Sequence, residues 1–193
     1  MGSIKLPHAS GNSVSIAAPQ SNPASDRTLY LPSNADGTVL TNTTPGCILQ
    51  VVHSMTNTEV GVDSNSFTDI GLSASITPAS SSNKILCLAQ VQARVFIGTA
   101  DNGFSVQLVR DSTSVPFSIP QGYQVGYNNA SIFNSTSEES YLVPVHHLDS
   151  PSTTSAITYK IQGRCRNSTG GNEVDFQDDG NFYSTLTLLE VAG

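Results

Sequence analysis

The chain has 193 residues, of which 37% are apolar and 12% charged, with no Trp and a net charge of −7. A nucleic-acid binder needs a basic stripe to displace counterions from phosphates, and the few cations here, among them Lys84, Arg94, Arg110, Lys160, Arg164 and Arg166, are scattered singly. No apolar run approaches the roughly 20 residues that span a bilayer, and MGSIKLPHAS lacks the apolar stretch of a signal peptide. The expectation is a soluble, unprocessed chain that binds no nucleic acid and inserts into no membrane. Ser, Thr, Asn and Gln stand where charge is missing, which suits strands with hydroxyl-rich outer faces and not helix bundles.

The chain divides near residue 45. Residues 1–45 hold short strand-like pieces (Ser3–Leu6, Ser13–Ala17, Thr28–Leu31, Thr38–Leu40) broken by Pro7, Gly11, Pro19, Pro23, Pro32, Gly37 and Pro45. That density of breakers leaves no room for an independent core. These pieces are expected to form an extended β-arm whose partners lie in the following domain or in other subunits.

Residues 46–193 read as one β-domain. Its strongest strand is Lys84–Ile97, where Ile85, Cys87, Ala89, Val91, Ala93 and Val95 make one face. The other face begins apolar with Leu86 and Leu88 and turns polar with Gln90, Gln92 and Arg94. Period-two alternation of that length is hard to read as helix. Asp101-Asn102-Gly103 supplies a tight hairpin into Phe104–Arg110. Further strands are expected at Ile48–His53, Leu72–Thr77, Val115–Ile119, Tyr141–Leu148, Ala156–Arg166, Glu173–Phe176 and Phe182–Val191, with turn clusters between them. The fold class is all-β: an antiparallel β-sandwich, most simply a jelly roll, with no helical segment.

Some strands carry apolar groups on both faces: Val51 beside Val52, Leu142 beside Val143, Leu188 beside Leu189. One face of each sheet in a lone sandwich meets water, so these pairs predict that one sheet is also covered, as at a three-fold axis. The competing expectation places them at strand ends or under loops.

Two stretches resemble phage virion proteins. Ser3–Thr41 resembles a segment recurring in phage tail-fibre and virion structural proteins: a hydrophobic strand, a Gly-Asn turn, the core APQSNPASDRTLYLP and a closing DGTVLT. SFTDIGLSASITPASSSNKILCLAQV (Ser66–Val91), with LVRD (Leu108–Asp111), LDSPSTTSAITYKIQ (Leu148–Gln162) and STLTLLEV (Ser184–Val191), is similar to a β-sandwich module. That module occurs at the distal ends of phage tail fibres and tailspikes and in trimeric capsid cement proteins. The resemblance implies a homotrimeric β-sandwich knob exposed on the virion, without catalysis.

Residues that could carry chemistry are few. The neighbours His146 and His147 point to opposite faces of a strand, so the two imidazoles do not readily share one ion. A trimer could instead set three copies of one His around its axis. Asp175, Asp178, Asp179 and Asn181 form an oxygen-rich cluster without the spacing of an EF-hand loop; a solvated Asp-Gly hairpin is set against a weak calcium site. No Ser lies in Gly-x-Ser-x-Gly, and Glu138-Glu139 is the one adjacent acidic pair besides Asp178-Asp179. Tyr123, Tyr127 and Phe133 lie in an irregular loop, where they either stack on a sugar or pack the loop onto the sandwich. Cys47, Cys87 and Cys165 lack Cys-x-x-Cys spacing and are expected as buried free thiols. No cofactor is expected.

The leading functional expectation is a capsid cement or decoration protein on the outer surface of the virion. Its partners would be two further copies of itself and the major capsid protein, with residues 1–45 as anchor. The alternative is a short tail fibre or tailspike tip that binds a host-surface glycan through the Gln121–Ser137 loop. A trimeric jelly-roll lectin is a third reading, and an enzyme is the least supported.

Overall fold

The computed structural model describes residues 3–7, 9–11, 13–17, 44–96, 103–115, 123–125 and 139–193. Contacts divide the chain into two units, Met1–Val39 and Leu40–Gly193. The first contains an antiparallel hairpin of β1 (Ser3–Pro7) and β2 (Ser13–Ala17), with Ser3 opposite Ala17 and Pro7 opposite Ser13, so these two pieces pair with each other and not, as expected, with the following domain or another subunit. Gly11, at φ 102°, holds a turn conformation that an L side chain resists. The pieces expected at Thr28–Leu31 and Thr38–Leu40 lie outside the described residues.

In the second unit the strands are β3 (Ile48–Thr56), β4 (Val60–Val62), β5 (Thr68–Ile76), β6 (Lys84–Phe96), β7 (Phe104–Arg110) and β8 (Thr113–Val115). They continue with β9 (Tyr123–Val125), β10 (Glu139–Asp149), β11 (Ile157–Cys165), β12 (Glu173–Phe176) and β13 (Ser184–Val191). Asp178–Gly180 forms a single 3-10 turn, the one helical element among the described residues. Period-two alternation locates the long strands well, and β7 and β12 match their expected ranges. The three-residue strands β4 and β9 were not expected, because three residues carry too little periodicity to register. Of the Asp101-Asn102-Gly103 hairpin, only Gly103 lies within the described residues.

β6 is the spine of the first sheet. β10 runs along one of its edges, from Asp149 opposite Ile85 to Glu139 opposite Val95. Along the other edge β13 pairs with residues 84–90 and β12 with residues 93–96. These two strands in turn carry β3 and β4. The second sheet runs β5-β11-β7, with β8 and β9 sharing the far edge of β7. Every described pairing is antiparallel, and the chain crosses repeatedly between the sheets, so that β3, β13, β6 and β10 face β5, β11, β7 and β8. This interleaving is that of a jelly-roll sandwich.

The core lies between the sheets. The expected inner face of β6 is buried throughout, and β11 and β13 add Tyr159, Ile161, Leu186 and Leu188. Phe104 packs edge-on to Phe176 at 6.0 Å and tilted to Tyr141 at 5.9 Å. Gly163 makes room for that cluster: a Cβ there would overlap the Phe176 ring and approach Ile70 Cγ2 to 3.1 Å. Gly71, at φ 77°, sits in a register irregularity between β5 and β11. Among the described residues no helix is long and apolar enough to cross a membrane.

Candidate functional site

Of the three aromatics expected at a glycan contact, Tyr127 and Phe133 lie outside the described residues. Tyr123 is not in an irregular loop as expected: its backbone starts β9 and stands opposite Val106 of β7. Glu138 also lies outside the described residues, and Glu139 accepts a hydrogen bond from the Tyr141 hydroxyl. Burial, together with that carboxylate, pushes the Tyr141 phenol up to about 12. His146 projects outward from β10 and is exposed, whereas its neighbour His147 is half-buried opposite Cys87. The thiols Cys87 and Cys165 are buried and Cys47 is half-buried. Burial raises the Cys87 thiol to about 12, which leaves it protonated and unreactive at neutral pH.

The oxygen-rich cluster differs in membership from the expected one. Glu59, from the irregular segment before β4, joins Asp178 and Asp179 with ligand-type oxygens within 4.8 Å of one another. Glu59 Oε2 already accepts the Asp179 backbone N–H at 2.9 Å. Arg94 supplies the local positive charge, 2.7 Å from Asp175 and 3.4 Å from Asp178. Burial raises the Asp178 carboxyl, Arg94 opposes that shift, and Asp179, Asp175 and Glu59 add to it. Glu173 is raised by burial and by Asp175, Asp63 and Glu59, against the opposing charge of Arg94. This cluster has a resident cation in its own guanidinium.

Two buried polar clusters escape sequence reasoning. Asp149 of the first sheet accepts hydrogen bonds from Arg110 Nη1 and the Tyr159 hydroxyl of the second, each at 2.6 Å. This is a polar bridge across the sandwich. Burial and the Asp149 carboxylate hold the Tyr159 phenol well above its ordinary value. Burial alone would lower the Arg110 guanidinium, but its bond to Asp149 outweighs that. Glu190 is fully buried and accepts from Gln50 Nε2, Asn83 Nδ2 and the Ala79 N–H, each at 2.6 Å. Burial pushes its carboxyl up, and these donors more than reverse the shift. The signal for Glu190 was present: it lies in phase with Leu186 and Leu188, on the apolar side of its strand.

The outward faces of the two sheets differ in kind. On the second sheet the side chains bond to one another: Asp69 with Lys160 at 2.8 Å and Gln162 at 2.6 Å, and Gln107 with Gln162 at 2.7 Å. Ser75 and Thr158 meet at 2.7 Å. On the first sheet the register aligns Leu148, Leu86, Leu189 and Val51 as one row across four strands. The adjacent row is His146, Leu88, Thr187 and His53, and the next is Pro144, Gln90, Thr185 and Met55. Val51 is 58% exposed, Met55 55%, Leu148 48% and Leu88 41%. An open groove of about 580 Å³ runs between Leu88, Gln90, Pro144, His146 and Thr185. The doubly apolar pairs seen in the sequence therefore resolve into one surface, to which Val51, Leu142 and Leu189 contribute.

No family model and no curated protein matches the chain. Solved structures do. A chain of the infectious bursal disease virus Gt strain aligns over 95% of this chain and 48% of that one, at 14% identity and a TM-score of 0.38. A crystal structure of an infectious bursal disease virus VP2 subviral particle aligns over 94% and 47%, at 12% identity and a TM-score of 0.40. A crystal structure of the T13 particle of the same virus aligns over 94% and 42%, at 12% identity and a TM-score of 0.37. This chain spans less than half the length of each. At these scores the likeness carries no function over to this chain.

Proposed function

We propose that this chain is a non-enzymatic virion structural protein of a bacteriophage, a homotrimeric cement or decoration protein on the outer capsid surface. The observation that carries the proposal is the pairing of a jelly-roll sandwich with an open apolar sheet face on an otherwise acidic chain. The resemblance of Ser3–Thr41 and of the sandwich strands to phage virion proteins supplies the particle. The carboxylates that cluster in the sandwich are bound to Arg94, Arg110, Tyr159, Asn83 and backbone N–H groups, so they serve the fold.

The mechanism is mechanical. Each trimer bridges neighbouring capsid subunits and adds buried area that opposes expansion of the shell under packed DNA, while residues 1–45 anchor it. The net charge of −7 per chain keeps the projecting knobs soluble and mutually repelling.

The test uses phage heads stripped of this protein. Adding the purified full chain is expected to restore their resistance to heat and osmotic shock, and a chain starting at Gly46 is expected not to bind. Heads equally robust with and without the full chain would contradict the cement role. Full occupancy by the Gly46 truncation would contradict the anchor.

A further inference from the structure

We infer that the apolar half of the first sheet's outer face, built from β3, β13, residues 84–90 of β6 and residues 142–148 of β10, is where copies of this chain meet. The inference rests on the reading of the chain as a self-assembling virion protein and names the surface that does the assembling.

Three features of the face select a second copy as the occupant. The first is charge. The chain has 15 acidic residues, yet this half-face presents Lys84 and no carboxylate. Two copies of an acidic protein repel wherever carboxylates oppose each other, and here they do not. The second is the boundary. Beyond residue 92 the same face turns charged, with Arg94 opposite Asp175 across β6 and β12, and Glu173 two residues along β12 opposite Phe96. An apolar centre with a charged margin is the layout of a protein–protein interface. The third is size. Four strands at about 4.8 Å spacing, over some eight residues at about 3.3 Å rise, cover ~500 Å². Three such faces turned onto one axis together withdraw ~1,500 Å² from solvent, on the order of one standard-size interface shared among three chains.

The buried inner layer does not depend on this contact. Val51, Leu148, Leu88 and Met55 project away from the core, so changing them leaves the sandwich interior as it is. The experiment is light scattering on the full chain across about 1–100 µM. It compares the wild type, the double variant Val51→Glu/Leu148→Glu and the control Ser75→Glu on the opposite face. The expected masses are three times 20.3 kDa for the wild type and the control, and 20.3 kDa for the double variant. A double variant that keeps the wild-type oligomer overturns the assigned face and leaves self-assembly standing. A wild type at the mass of one chain overturns both. If the double variant does not fold, maleimide labelling of Val51→Cys against Ser75→Cys decides. Protection of the first alone supports the interface, and equal labelling overturns it.

Discussion

The two outward faces belong to one sandwich, yet they handle water in opposite ways. The face of β5, β11 and β7 closes its polar groups on one another: Asp69 holds Lys160 and Gln162, and Gln162 holds Gln107. It needs no partner. The face of β10, β6, β13 and β3 turns a row of four aliphatic side chains outward, Val51 and Leu148 exposed and Leu86 and Leu189 half-buried, beside a bond from His53 to Thr187 at 2.9 Å. A sheet face that satisfies itself needs no cover, whereas a contiguous apolar row in an outward face is the feature on which the proposed self-contact rests. The difference follows from alternation. The outward positions of β5 and β11 are Thr, Asp, Gly, Ser, Lys, Gln and Arg, whereas those of β3, β6 and β13 include Val, Met and Leu.

Both faces rest on the same interior, so the largest effect is expected from cutting the bridge between the sheets. Asp149→Ala strands the Arg110 guanidinium and the Tyr159 hydroxyl and is expected to cost about 3–5 kcal/mol in urea unfolding. A loss under about 1 kcal/mol would mean the bridge does not hold the faces back to back. Next comes crowding: Gly163→Ala pushes a methyl into the Phe176 ring and is expected to cost about 1–3 kcal/mol, lowering the melting temperature.

Glu190→Gln sets an amide against donors that need a carboxylate, at a cost of about 1–3 kcal/mol. It also changes the pH profile. The Glu190 carboxyl titrates lower in the fold than in the unfolded chain, so its contribution is complete above its ordinary value of 4.5. That contribution disappears as pH falls through the lowered folded value. The wild type is therefore expected to lose its advantage over Glu190→Gln in acid, and parallel pH–stability curves would contradict this. The smallest effect belongs to the self-satisfied face. Lys160 and Gln162 hold the Asp69 carboxyl below its ordinary value, but the pair is exposed. Asp69→Ala is expected to change stability by no more than about 0.5 kcal/mol and the oligomer not at all.

The long strands were legible because an unbroken apolar residue at every second position from Ile85 to Val95 in β6 admits one reading. So was the doubly apolar character of the first sheet, since Val51-Val52 and Leu188-Leu189 break the period that solvent imposes. What the sequence hides is which strands become neighbours. Asp149, Arg110 and Tyr159 are dispersed in the chain and meet because β10 and β7 lie in opposing sheets. Glu59 joins Asp178 because β4 pairs with β12. Short pieces such as β9 form because β7 offers them an edge. The candidate site was half legible: its residues were marked as anomalous, while their alignment into rows depends on registers that only the folded sheet defines.

The most direct test of the account is the copy number of this chain per purified virion, measured by quantitative mass spectrometry against the major capsid protein. A decorating trimer predicts several hundred copies. A few tens would contradict that role and place the chain on the tail, with host recognition as its task.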